Sequence, residues 1–95
     1  MTSNGKVLAE PIVDNERVRM TRFTWAPGAA TGWHRHEYDY VIVPYRDCSV
    51  RVEMDGQVID AAMYRDQPYF RGKGVEHNVI SLETEPFSLL EIEIK

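Results

Sequence analysis

Short runs of alternating apolar and polar residues make up most of this chain, and turn residues separate them. A period of two is typical of a β-strand with one buried face, and no run has the longer period of an extended helix. Ser49–Met54 and Gln57–Tyr64 are two such runs, and the Asp55-Gly56 pair between them is a strong hairpin signal. The pattern therefore predicts an antiparallel β-sandwich or barrel.

Two runs near the N-terminus are less regular. Lys6–Glu10 predicts a short edge strand that ends at Pro11, because proline cannot donate to a strand ladder. Arg17–Trp25 changes its apolar phase midway, which indicates either a bulge or a strand that contacts both faces. Residues 1–5 are expected to be disordered, so the predicted single domain covers residues 6–95.

The C-terminal run predicts a half-buried strand with its charged side chains in solvent. Apolar side chains at Leu90, Ile92 and Ile94 alternate with charged ones, and this alternation assigns Glu91 and Glu93 to the solvated face. The arginines of the run that ends at Trp25 are expected to be solvated in the same way, namely Arg17, Arg19 and Arg22.

Two of the three histidines, His34 and His36, lie two residues apart in the segment GAATGWHRHEYDY. In a strand both side chains share a face, with their roots about 7 Å apart, and their rings can converge on one metal ion. His77 follows Gly72 and Gly74, which allow the close backbone approach that brings a third ring towards the same place. Because histidines in an arbitrary protein are more often ordinary side chains than ligands, their context has to decide.

That context is a pair of motifs. Gly28, His34 and His36 match the pattern of glycine, five residues and His-x-His in the first cupin motif, and Gly74 and His77 match part of the second. Over most of its length the chain therefore resembles the cupin family, as a small single-domain cupin with a conserved barrel of the cupin-2 type. The resemblance implies an all-β fold, a small antiparallel β-barrel or jelly roll whose mouth holds one metal and one small ligand.

The chain also departs from both motifs. The glutamate ligand of the first motif falls on Tyr40 or on the residue after it. Asp39 supplies a carboxylate only if a bulge turns it inward, whereas strand phase favours Tyr40 at the site, with Tyr38 in the same phase. In the second motif Ser81 stands where the family has asparagine, in phase with His77.

The resemblance implies one divalent transition metal ion per chain, bound by His34, His36 and His77. Imidazole ligands do not distinguish iron, manganese, nickel, zinc and copper. The residues expected to line a substrate site beside the metal are Tyr38, Tyr40 and Ser81.

Cupins include oxygenases, isomerases and binding proteins, so three functions stay open. The first is a metal-dependent enzyme, oxygenase-like or isomerase-like, that acts on a small molecule. The second is a small-ligand binding protein or sensor without catalysis, and the third is a structural dimer with a vestigial site. Retention of all three histidines favours a working metal site over a vestigial one.

Length, charge and cysteine content limit the kinds of partner and compartment that we expect for this protein. A chain of 95 residues forms one domain, and a net charge of −4 without a basic cluster argues against nucleic acid and membrane partners. The single cysteine, Cys48, has no partner for an internal disulfide, and the N-terminus lacks the apolar core of a signal peptide, so a cytoplasmic location is expected. A homodimer is expected as well, because Val41 and Val43 alternate with the inward side chains and need covering.

Overall fold

The computed structural model of the protein describes residues 7–95, and the segment at residues 1–5 lies outside this range. All regular secondary structure between residues 7 and 95 is β-strand, as the alternating pattern predicted. No helix in that range is long and apolar enough to span a membrane. The strands are β1 (Val7–Asp14), β2 (Val18–Trp25), β3 (His34–Arg35), β4 (Asp39–Pro44), β5 (Cys48–Met54), β6 (Gln57–Met63), β7 (Tyr69–Arg71), β8 (Glu76–Ser81) and β9 (Phe87–Ile94).

The strands of the described range form two antiparallel sheets. The first has five strands in the order β1-β2-β9-β4-β7, and the second has four in the order β3-β8-β5-β6. The C-terminal strand β9 lies between β2 and β4 in the centre of the first sheet, whereas the N-terminal strand β1 lies at its edge. This arrangement confirms the predicted antiparallel β-barrel or jelly-roll class.

The buried core lies between the two sheets. Trp25 of β2 stacks on Phe87 of β9, with ring centroids 4.8 Å apart and an interplanar angle of 9°. The indole Nε1 of Trp25 donates a hydrogen bond to the carbonyl of Val79 in β8, at 3.1 Å, and so ties one sheet to the other. The other buried apolar residues of the core are Ala29, Tyr40, Ile42, Cys48, Val50, Met63 and Leu89.

The predicted hairpin is confirmed. Strands β5 and β6 pair in continuous register up to Met54 opposite Gln57, with Asp55 and Gly56 as the turn. Gly56 has a φ of +72°, a value that favours glycine.

The first two strands differ from their predictions. Strand β1 continues through Pro11 to Asp14, because it is an edge strand and Pro11 sits at a register shift between Pro11 and Val13. Strand β2 has no bulge in its pairing with β9, which runs without a break from Val18 to Trp25. Its inward face includes Arg19, which the sequence pattern had assigned to solvent.

The histidine segment is not one strand. Strand β3 ends at Arg35 in the four-stranded sheet, and β4 begins at Asp39 in the five-stranded sheet. The chain therefore crosses from one sheet to the other between these residues. The alternation of inward and outward side chains does not continue across such a crossing. The phase of His34 and His36 therefore does not determine the direction of Tyr38.

The phase predicted for β9 is wrong. Phe87, Leu89, Glu91 and Glu93 are the buried residues of this strand, whereas Ile94 is 44% exposed. Both faces of β9 carry apolar residues at its start, so alternation alone does not say which face is inside. Strand β9 lies between β2 and β4, and the four-stranded sheet packs over the face of β9 that carries both glutamates, which places them in the interior.

Candidate metal centre

The three histidines converge through the same ring nitrogen. Nε2 of His36 lies 3.1 Å from Nε2 of His34 and 3.0 Å from Nε2 of His77. The three rings meet nearly edge to face, with centroids 4.7 to 5.0 Å apart. They form a group in which one nitrogen from each ring could bind a common metal ion.

Backbone pairing brings the rings together. His34 in β3 lies directly opposite His77 in β8. His36 follows β3, and its backbone N–H donates to the carbonyl of Val75 while its carbonyl accepts from the N–H of Gly74, both at 2.8 Å. Gly74 has a φ of +97°, so the glycine predicted to be needed beside His77 has the conformation that requires it. Strand pairing thus places His34 and His77 opposite each other in one sheet. The two backbone hydrogen bonds of His36 hold the third histidine beside them.

The spacing of the nitrogens fits a bound ion. Two nitrogens that each lie about 2.0–2.1 Å from an ion are about 2.9 Å apart at a right angle and about 3.4 Å apart at a tetrahedral angle. The two observed separations, 3.0 and 3.1 Å, lie within this interval. The donor set therefore suits a divalent first-row metal, and its three protein ligands leave further coordination positions open.

The rings of His34 and His36 are held from their other sides. Nδ1 of His34 lies 2.9 Å from the carbonyl oxygen of Gly32, a backbone acceptor that places a hydrogen on Nδ1 and leaves Nε2 free as a ligand. The His36 ring stacks on Tyr40, with centroids 3.9 Å apart and an interplanar angle of 14°. Nδ1 of His36 lies 3.9 Å from a carboxylate oxygen of Glu91.

Burial keeps two of the histidines neutral. It lowers the pKa of His36 to about 4, with a further contribution from neighbouring His34. Burial also lowers the pKa of His77 to about 4, and the nearby rings of His34 and His36 add to the effect. A neutral imidazole is the form that binds metal, so the environment favours ligation at neutral pH.

The histidines face a cavity of about 1060 Å³ between the two sheets. Tyr40 lines this cavity, in agreement with its predicted phase. Tyr38 and Ser81 lie outside the lining, contrary to expectation. The ring of Tyr38 lies 5.7 Å from the guanidinium of Arg19, and the Ser81 hydroxyl accepts a hydrogen bond from the N–H of Glu83 at 3.0 Å. Other residues that line the cavity include Phe23, Ile42, Val50, Val52, Met54 and Val79.

The cavity also contains a charged cluster that the sequence pattern had assigned to solvent. Glu91 and Glu93 are each only 8% exposed and line the cavity with Arg19. Arg19 binds both oxygens of Glu93, at 2.6 and 3.1 Å. Burial, together with neighbouring Glu93, raises the pKa of Glu91 to about 7. Both glutamates alternate in phase with the apolar residues Phe87 and Leu89. This alternation was the sequence signal that could have predicted their burial.

Asp39 does not reach the histidines. Its carboxylate accepts a hydrogen bond from the backbone N–H of Lys73 at 2.9 Å, and so it fastens the loop ahead of β8. Tyr40, by contrast, is buried against His36. At one of the two positions where the cupin motif can have its glutamate, this chain therefore places an aromatic ring against the imidazole of His36.

The free cysteine is unsuited to nucleophilic chemistry. Cys48 is buried in the core. Burial raises the pKa of its thiol to about 11, so the reactive thiolate is scarce at neutral pH.

Comparison with known proteins gives two relatives of nearly full length. The Beta-alanine degradation protein BauB of Pseudomonas aeruginosa is 43% identical over 94 residues, which are 97% of this chain and 99% of that protein. A cupin domain from Bordetella pertussis Tohama I is 38% identical, with a TM-score of 0.96, and the match covers 100% of this chain and 99% of that structure. No family model matches the chain.

A more distant structure shares the fold alone. A cupin superfamily protein from Desulfitobacterium hafniense DCB-2 is 17% identical, with a TM-score of 0.73 over 99% of this chain and 82% of that one. The full-length match to the Bordetella domain goes further, because it combines 38% identity with nearly the same backbone. With the two-sheet barrel and the histidine motifs already in place, this match establishes that the chain belongs to the cupin family.

Proposed function

We propose that this protein binds one divalent transition metal ion per chain through His34, His36 and His77 and acts on a small molecule in the adjoining cavity. The observation that carries this proposal is the convergence of three Nε2 atoms, two of the separations being 3.0 and 3.1 Å, at the wall of an internal cavity. Two of the three rings are kept neutral by burial, and neutral imidazole is the ligating form.

The site supports a metal-dependent, oxygenase-like reaction. A metal ion at this position supplies Lewis-acid chemistry, and iron or copper supplies redox chemistry as well. Three protein ligands leave room for a substrate and a second reactant to approach together. The largely apolar lining of the cavity, with Phe23, Val52 and Val79, would keep bulk water away from the reacting molecule.

For the substrate we propose a small compound from the breakdown of β-alanine or of a molecule of similar size. Support comes from the 43% identical relative, which is a β-alanine degradation protein and matches this chain over nearly its whole length. A short carboxylic acid also suits a metal held only by neutral ligands, because its carboxylate can bind the uncompensated positive charge.

A small-ligand binding or sensor role without catalysis is the second candidate. Arg19 and Glu93 are engaged with each other and Glu91 faces the ring of His36, so each charged side chain of this cluster already has a protein partner. Oxygen consumption by iron-loaded protein separates the two roles, with β-alanine and the short acids and aldehydes derived from it as test compounds. Turnover supports the enzyme, whereas saturable binding without product supports the binding protein.

Metal content tests the core of the proposal. Protein purified without a chelating tag and reconstituted with each first-row divalent metal should hold about one equivalent, measured by elemental analysis. His77→Ala should lower metal affinity more than about tenfold, because the site loses a direct bond. Asp39→Asn is the matched control, since Asp39 binds the Lys73 backbone and should leave metal affinity within about threefold.

The proposal fails if no metal exceeds about a tenth of an equivalent. A large loss of metal in Asp39→Asn would instead point to a carboxylate-completed site.

A further inference from the structure

The carboxylate of Glu91 lies on the far side of a ligand ring from the metal site. Its Oε2 atom is 3.9 Å from Nδ1 of His36, and both side chains are buried, with 11% and 8% of their surfaces exposed. Nε2 of the same ring lies 3.1 and 3.0 Å from the other two histidines. The two nitrogens of His36 therefore face two different groups, a carboxylate and a set of metal ligands.

The neighbouring glutamate does not share this position. Glu93 is bound at both oxygens by Arg19. Glu91 has no guanidinium or ammonium partner among residues 7–95, and its one ion-pair contact there is with His36. A carboxylate that is 8% exposed is costly unless a donor faces it, and Nδ1 of His36, at 3.9 Å, is placed to be that donor.

We propose that Glu91 is the positioning residue of the metal centre, the carboxylate that accepts the Nδ1 hydrogen of His36 and so presents Nε2 to the metal. This inference rests on the proposed metal site. Metal-bound histidines commonly donate their second N–H to a carboxylate or a backbone carbonyl, which fixes the tautomer and strengthens the ligand. His34 already has the backbone form of this contact, through Gly32 at 2.9 Å.

Glu91 acts from outside the ligand set. It is not part of the group whose ligand atoms all lie within 4.8 Å of one another. A charge-assisted hydrogen bond of about 2.7–2.9 Å needs the carboxylate and ring to approach by about 1 Å, a movement within reach of a glutamate side chain. Strand β9 thus supplies a carboxylate beside the centre, although neither residue at the motif position of the family's glutamate, Tyr40 or Val41, carries one.

Paired neutralising variants test the proposal. Glu91→Gln and Glu93→Gln remove the same charge from the same face of β9, so any general loss of negative potential is common to both. We expect zinc affinity, measured by competition with a chromophoric chelator, to fall about tenfold to a hundredfold in Glu91→Gln and clearly less in Glu93→Gln. In zinc-loaded protein, the NMR signal of the His36 Nδ1 proton should move upfield in Glu91→Gln and stay in place in Glu93→Gln.

Equal zinc affinities in the two variants, or an unchanged Nδ1 proton signal in Glu91→Gln, would overturn the positioning role. Thermal melting of the metal-free proteins monitors folding, and Glu91→Gln should be no less stable than the parent because it removes a buried charge. Failure of the parent protein to bind zinc would count against the metal site itself, so the two proposals fail by different observations.

Discussion

Three titratable side chains beside the cavity have pKa values displaced in opposite directions. Burial lowers the pKa of His36 and His77 to about 4 and raises that of Glu91 to about 7. As pH falls from about 6.5 to 4, the unfolded chain takes up protons at these histidines before the folded one does, so stability is lost. For Glu91 the folded state holds the proton more tightly, so stability is lost as pH rises from about 4.5 to 7.

Glu91→Gln should therefore stabilise the metal-free protein at high pH. We expect a gain on the order of 3 kcal/mol in the free energy of unfolding at pH 8, because the substitution removes a charge that burial disfavours. The gain should shrink towards zero near pH 4.5, where the Glu91 carboxyl is protonated in the folded state. Urea unfolding in the presence of a chelator at both pH values measures it.

The control is Glu93→Gln, which breaks the pair with Arg19 and should not stabilise the protein at pH 8. A Glu91→Gln effect that does not vary with pH would contradict this reading of the buried carboxyl. If the effect varies as expected, Glu91 lowers the stability of the metal-free fold at neutral pH, which is a common property of functional residues.

Among the elements, the turn into β8 is the one that contacts the backbone of His36 and leads into His77. Gly74 has a φ of +97° and donates its N–H to the His36 carbonyl. Nothing lies within 4 Å of a Cβ placed there, so an alanine would be strained by its backbone alone. Any relaxation of that strain moves the start of β8, and His77 with it.

We expect Gly74→Ala to lower the free energy of unfolding by about 1–2 kcal/mol and to lower metal affinity severalfold. Gly56→Ala is the matched control, because Gly56 has a φ of +72° and equally open surroundings in the β5–β6 turn. It should show a similar loss of stability with metal affinity unchanged. Chemical unfolding and zinc titration of both variants decide the matter, and equal metal affinities would show that the turn does not position His77.

At the scale of the whole molecule, the outer face of the five-stranded sheet is apolar. Val41 pairs with Ile92 and Val43 with Leu90 across β4 and β9, and these four side chains are only partly buried within one chain. Phe70, opposite Val41 on β7, is 55% exposed. A surface of this kind is typical of an interface, and a second copy would bury it symmetrically.

The homodimer therefore stays a prediction with a defined interface. Light scattering at micromolar concentration should give twice the chain mass of 11.0 kDa, and Ile92→Lys should give the monomer because it places a charge in the apolar face. Val58→Lys is the control, since Val58 lies on β6 of the other sheet and is 60% exposed. A parent protein that is monomeric would rule out the interface.

Predictions from sequence were accurate wherever a local signal was sufficient. The Asp55-Gly56 turn and the inward phase of Val50 and Val52 follow from residues within a few positions of each other, and both are observed. Tyr40 lines the cavity and Tyr38 does not, although both were assigned to the same phase, because the chain changes sheets between His36 and Asp39 and phase does not carry across that change.

The residues that make the candidate metal centre could thus be predicted from the sequence itself. Three histidines, two of them in a His-x-His pair, and glycines with positive φ at the turns specify what can bind a metal and where the backbone can bend. These features need only covalent order and local conformation, so no knowledge of the fold is required to see them.

Tertiary structure alone decided which carboxylate accompanies them. Strand β9 has apolar residues on both faces, so its pattern permits either face to be buried, and the packing of the four-stranded sheet against it selects the face with Glu91 and Glu93. The contact between Glu91 and His36 joins residues 55 positions apart in sequence, because the two sheets close on each other. Alternation can separate the two faces of a strand, but only the packing of the sheets determines which of them is inside.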